Sequence, residues 1–149
     1  MILKVGKSNS KQAVRALRLL LDQKLGDIYD SGTEWRVKYF QQEHGLEVDG
    51  EAGPLTLEAL CSTLPDVEYM DYSGSKYVKA VQALVSTVID GKYGKNTRAN
   101  VIALQTTSGL DITGNVRLAE WKVMFDVPLT PVTKPEPDIQ TPQIEKDED

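Results

Sequence analysis

The chain has one cysteine and one histidine in 149 residues. A lone Cys61 closes no internal disulfide, so a disulfide scaffold is excluded and the compartment of folding is left open. A lone His44 cannot supply the several imidazoles that zinc hydrolases usually take, and a metal-assisted reaction is not expected. Long hydrophobic runs are missing as well. No window approaches the ~18 apolar residues of a membrane span. The start MILKVGKSNS has no cationic head leading into an apolar stretch, so no secretory leader is expected either. Lys and Arg are not gathered along any one helix, and the folded part is near neutral where a nucleic-acid surface needs a basic stripe. No alternating pattern of useful length occurs, which excludes a sheet protein and leaves an all-α class.

Two catalytic constellations remain to be weighed. A Cys–His pair would join Cys61 and His44, but Cys61 falls on an apolar helical stripe and His44 stands beside a helix-ending Gly45. A glycosidase needs two carboxylates across a cleft, and no acidic residue here stands alone in an apolar context. Neither enzyme activity nor a cofactor is expected.

Charge is present but uneven. Of the formal net charge of −5, most lies after Val127, in VPLTPVTKPEPDIQTPQIEKDED, where six acidic residues face two lysines. With prolines at 128, 131, 135, 137 and 142, residues 127–149 read as an extended, disordered, acidic tail. Residues 1–72 hold 8 basic and 12 acidic groups, residues 73–126 hold 7 and 4, and the two halves differ in sign.

The halves are also copies. A shift of 64 positions aligns Val14 with Val78, Leu20 with Leu84, Tyr29 with Tyr93, Thr33 with Thr97, Gln41 with Gln105, Gly45 with Gly109 and Gly50 with Gly114, without a gap. This predicts one repeat over 1–64, a linker over 65–73 and a second repeat over 74–126. Each repeat shows three helical patterns. In the first, Ser10 caps a helix with Val14, Leu17, Leu20, Leu21 and Leu25 inward; Thr33 caps a second with Val37 and Phe40 inward; Pro54 opens a third with Leu57, Leu60, Cys61 and Leu64 inward. The second repeat follows with Val78, Val81, Leu84 and Val85, then Val101 and Leu104, then Leu118, Trp121, Met124 and Phe125.

The densest turn chemistry is in GLEVDGEAGPLTLEAL. Asp49-Gly50 makes a tight turn and Gly53-Pro54 restarts the chain as a helix carrying Thr56, while Asp90-Gly91, Gly94 and Thr97 repeat that arrangement further on. Such turns are structural by default. They also set amide hydrogens and a carboxylate at a rim between helices.

The run V-x-x-F-Q followed by G-L-x-x-D-G-x-x-G-x-x-T resembles the three-helix peptidoglycan-binding domain of bacterial and phage cell-wall hydrolases. Val37–Leu60 carries it closely, and DGKYGKNTRANVIALQ (90–105) carries the preceding part. The family pattern would place such a turn before the second and the third helix of each repeat, whereas each repeat keeps one intact: GDIYDSGT retains only Thr33, and ITGNVRLAEW only Gly114.

The resemblance implies a non-catalytic wall-binding protein built as two tandem three-helix bundles, with peptidoglycan as ligand. A ligand of amino-sugars and acidic stem peptides asks for amide-matching donors, a few acceptors and an aromatic face. The candidates are Asp90, Gly91, Tyr93, Gly94, Asn96, Thr97 and Arg98 in the second repeat, and Asp49, Gly50, Gly53, Thr56 and Trp35 in the first. Asp90, Thr97, Asp49 and Thr56 equally suit turn and cap roles. Trp35, aligned with Ala99, either packs or stacks on a ligand; Trp121, aligned with Leu57, belongs to the core; Tyr29 and Tyr93 read as half-buried with exposed hydroxyls. A chain without a leader fits a phage product made in the cytoplasm that reaches the wall by lysis or in the virion. The alternative is an interaction protein that docks the same fold, through its tail or its oppositely charged repeats, onto a protein partner.

Overall fold

The computed structural model describes residues 1–130 and is all-α: α1 Lys11–Leu20, α2 Ser31–Glu43, α3 Pro54–Ser62, α4 Lys76–Leu84, α5 Lys95–Ser108 and α6 Leu118–Met124. Most of the tail, residues 131–149, lies outside the described residues. Its first residue, Val127, is buried, and its amide donates to Lys122 O at 2.7 Å, so the core runs one residue past the expected boundary.

Helices α1, α2 and α4 begin where a side-chain oxygen meets an unpaired first-turn amide, whereas α3 and α5 begin at glycine. Ser10 Oγ accepts from Ala13 N, and Ser75 Oγ from Val78 N, both at 3.2 Å. For α2 the cap is Asp30, whose Oδ1 accepts from Thr33 N at 2.9 Å; Thr33 is therefore one turn inside the helix, not its cap. Pro54 stands in the first turn of α3, as expected. Helix α1 ends at Leu20 because Asp22 takes a left-handed φ of 64°, and α4 ends the same way at Ser86, with φ 62°. The early stop turns Leu25 out to solvent, and Leu118, at the outer start of α6, is likewise exposed, contrary to the inward positions expected for both.

Helix α1 packs on α4, and α3 on α6. The α1–α4 seam is lined by Ala13, Ala16, Ala80 and Ala83, all buried, and such small side chains let the two helices approach closely. Contacts at its two ends match across the 64-residue spacing: Lys76 Nζ binds Asp22 Oδ1 at 2.8 Å, and Gln12 Nε2 donates to Ser86 Oγ. Buried residues from both halves form one hydrophobic cluster, so the chain folds around a shared core.

Within residues 65–73, expected as a linker, Val67 joins that core while most of the segment is exposed. Val67 and Val116 exchange backbone hydrogen bonds of 2.8 and 2.7 Å, just as Leu3 and Ala52 do 64 positions earlier. Trp121, wholly buried as expected, donates its indole N–H to Pro65 O at 2.9 Å.

Candidate functional site

The turns between helices are organised by buried glutamines. Gln41 Oε1 accepts from Asp49 N and Gly50 N, while its Nε2 lies within 3.0 Å of Asp49 Oδ1, Glu51 O and Thr56 Oγ1. Gln82 does the same with Asp90, Gly91, Lys92 and Thr97, and Gln105 with Thr113, Gly114, Asn115 and Glu120. The partners follow each glutamine by 8, 9, 10 and 15 residues every time. In the fourth turn an arginine takes over: Arg18 Nη1 donates to Ile28 O at 3.0 Å and Thr33 Oγ1 at 3.1 Å, 10 and 15 residues on. The degenerate turn of the second half thus keeps the same geometry with Thr113 for Asp and Glu120 for Thr, whereas the GDIYDSGT turn keeps only the contacts 10 and 15 residues on.

This architecture absorbs most of the residues predicted to meet ligand. Asp49 Oδ1 and Asp90 Oδ1 each accept from the amide two residues on, at 2.9 Å. That amide of Lys92, and then Gln82, hold the Asp90 carboxyl below its ordinary range. Gly50 and Gly91 both have φ 76°, and a Cβ at Gly91 would stand 2.6 Å from Gly74 Cα, so these positions need glycine. Thr56 and Thr97 are buried acceptors. Gly53 and Gly94 are the N-caps of α3 and α5.

The two turn tyrosines differ from expectation. Tyr29 and Tyr93 are buried, and their hydroxyls donate to Gly50 O at 2.6 Å and Gly114 O at 2.7 Å, so no hydroxyl is exposed. Burial, first of all, pushes both phenols well above their usual pKa. Of the second-repeat candidates, Asp90, Asn96 and Arg98 are exposed, and Arg98 lies 5.0 Å over the Tyr69 ring.

Trp35 stands apart from that network. It is 62% exposed on the outer face of α2, stacked on Tyr39, itself 55% exposed, with ring centroids 5.8 Å apart and planes 13° from parallel. The pair borders a groove of about 510 Å³ between the end of α1 and α2, floored by Leu20, Leu21 and Phe40 and closed by His44, whose ring stacks on Phe40 at 3.9 Å. A second depression of similar size adjoins it, sharing Asp22, Trp35 and Arg36 with the groove and lined also by Lys24 and Arg18. Arg36 is steadied by a 2.8 Å hydrogen bond from Nη1 to Leu21 O. Tyr39, Lys24 and Arg36 were not singled out from sequence; the signal was two aromatics four residues apart on a helix face away from Val37.

Leu84, Val85, Asn100, Ala103, Leu104 and Thr107 line a smaller groove of about 300 Å³ at the corresponding place 64 residues on. It keeps the apolar floor and has neither ring.

Among the described residues no cluster of His, Cys, Asp and Glu could hold a metal ion, and no helix is long and apolar enough to cross a membrane. Burial pushes the Cys61 thiol up to about 12, far from a thiolate nucleophile.

No curated protein and no solved structure matches the chain significantly. Residues 8–60 match the family model of a peptidoglycan binding domain, the stretch that contains α1 to α3 almost entirely and the aromatic groove.

Proposed function

We propose that this chain is a non-catalytic wall-binding protein that holds peptidoglycan through its first half. The observation that carries the reading is a coincidence of position: the family match over 8–60 covers the half that bears the open aromatic groove. Physical chemistry agrees with it. Exposed, stacked rings beside two cations suit a ligand that is part saccharide and part anionic peptide, and an exposed aromatic face of this kind marks an interaction site. In this reading the intact turns around Gln41 and Gln82 are scaffold, and the second half serves chiefly to hold α1 in place through α4. The chain then supplies wall affinity to a virion or a lysis system whose cutting activity resides on another chain.

Incubation of the purified protein with insoluble sacculi tests both parts. The protein is expected in the pellet, with no soluble wall fragments released into the supernatant. Release of fragments would make it an enzyme, and a protein that stays in the supernatant would return the fold to docking on a protein partner.

A further inference from the structure

Resting on the wall-binding reading, we infer that Trp35 divides one ligand site into two subsites, an amino-sugar ring on the Trp35–Tyr39 plate and a stem-peptide carboxylate at Lys24 and Arg36, and that the second groove is no site at all.

The plate has the right chemistry for a pyranose. The two stacked, near-parallel rings, 13° apart, leave exposed π faces with negative charge density, and the axial C–H bonds of a sugar carry the complementary positive edge. The apolar floor of Leu20, Leu21 and Phe40 excludes water beneath it. In the adjoining depression the chemistry is ionic. Arg36 is already oriented by Leu21 O and Lys24 is exposed in the same depression, so a carboxylate arriving there meets two cations, one of them preoriented, beside an Asp22 already paired with Lys76. In peptidoglycan the peptide hangs covalently from the sugar, and both groups arrive together.

The molecule contains its own control. At the positions 64 residues on, the floor is conserved in character, with Leu84, Val85 and Leu104 for Leu20, Leu21 and Phe40. Every group assigned to the ligand is replaced: Trp35 by Ala99, Tyr39 by Ala103, Arg36 by Asn100 and Lys24 by Val88. A groove required only for folding would not differ between the copies at those four places and agree at the other three. The chain is therefore monovalent.

The Asp22 side of the site is held from the other half. Lys76 Nζ bonds both Asp22 Oδ1, at 2.8 Å, and Leu20 O, at 3.2 Å, and both residues border the groove. Lys76 is thus a positioning residue, out of reach of the aromatic plate.

NMR titration of the full chain tests this with three soluble probes: chitotriose, which has sugar without peptide; a free stem tetrapeptide; and a disaccharide-tetrapeptide. The expected result is that the joined compound shifts the Trp35 indole N–H and the Lys24 amide at a stoichiometry of one and binds about tenfold tighter than either part. Lys24→Ala should weaken the peptide-bearing ligand and leave chitotriose unchanged, which a merely structural lysine would not do. Ala99 and Ala103 are exposed, so the graft Val88→Lys, Ala99→Trp, Asn100→Arg and Ala103→Tyr leaves the core intact and should raise the stoichiometry to two. Shifts centred on Asn96 and Arg98, or unchanged affinity in Trp35→Ala/Tyr39→Ala with an unaltered melting temperature, would overturn the inference while the protein still pelleted with sacculi. Failure of the unaltered protein to pellet would remove the wall-binding reading, and this inference with it.

Discussion

Gln82 illustrates how a single buried amide can hold a turn. Its replacement by Leu leaves the buried Gly91 N and the part-buried Asp90 N and Lys92 O without their partner, and a fully buried orphaned group costs ~1–3 kcal/mol. Gln82→Leu should therefore lower unfolding free energy by about 2–4 kcal/mol in denaturant titration, allowing for partial rehydration. Tyr93→Phe removes one donor from Gly114 O and should cost about 1 kcal/mol. The turn aspartates add a pH dependence of definite sign. Hydrogen bonds from Thr33, backbone first, lower Asp30 to about 2, and Asp71 and Asp90 are lowered by the backbone and side-chain groups of their own turns. A depressed carboxyl contributes stability that is present above its unfolded pKa, near 4, and is lost as pH falls toward its folded value. Thermal melts should stay flat from pH 7 to about 5 and fall below about 4, and Asp30→Asn should remove part of that fall. Since Asp30 is half exposed, solvent keeps its share small. Raised phenols act at the other end. Tyr29 and Tyr93 contribute stability that is full below pH 10 and lost above it, so absorbance titration of the native protein should fall at least two phenols short of its six tyrosines. The glutamines were visible in the sequence as aligned positions, Gln41 with Gln105, but their function was hidden. A residue that satisfies a turn lies eight positions ahead of it, and attention falls on the Asp-Gly of the turn itself.

Helices α1 and α2 show what periodicity can and cannot reveal. The inward face of α1 was legible because Val14 and Leu17 recur at helical spacing, and both are buried. Its end was not, because Leu25 continues the apolar rhythm past Asp22, whose left-handed backbone no pattern of hydropathy announces. For α2 the rhythm is blurred by the exposed aromatics Trp35 and Tyr39 on its outer face, and that blur was itself the trace of a surface feature. Which helix covers α1 was invisible altogether, since a 64-residue repeat is compatible with two separate bundles or one shared core. The α1–α4 seam gives a stability prediction at this scale. Leu17→Ala should cost about 2–5 kcal/mol, because Leu17 is 1% exposed and the cavity is walled by a second helix that cannot easily collapse. Residues 1–64 expressed alone expose the α4-facing side of α1, and calorimetry should show a broad, weakly cooperative melt where the full chain melts as one transition.

At the scale of the whole molecule the proposed reading divides the labour between the two halves. Both halves keep the same turns, the same arm pairing at Leu3–Ala52 and Val67–Val116 and the same groove walls, and these shared features build the fold. What differs between the halves is chemistry at the surface, and the family match falls on the half that has it. Resemblance by motif was strong because it rests on turn and core positions, and for that reason it drew the candidate site toward Asp90 and Thr97, which the scaffold uses. The most direct measurement is co-sedimentation with sacculi of the unaltered chain and of Trp35→Ala/Tyr39→Ala, side by side, after matched melting temperatures have been verified. The unaltered chain should pellet and be released by soluble disaccharide-peptide, while the double variant stays in the supernatant. Equal pelleting of the two would contradict the account of the site, and an unaltered chain left in solution would contradict wall binding itself.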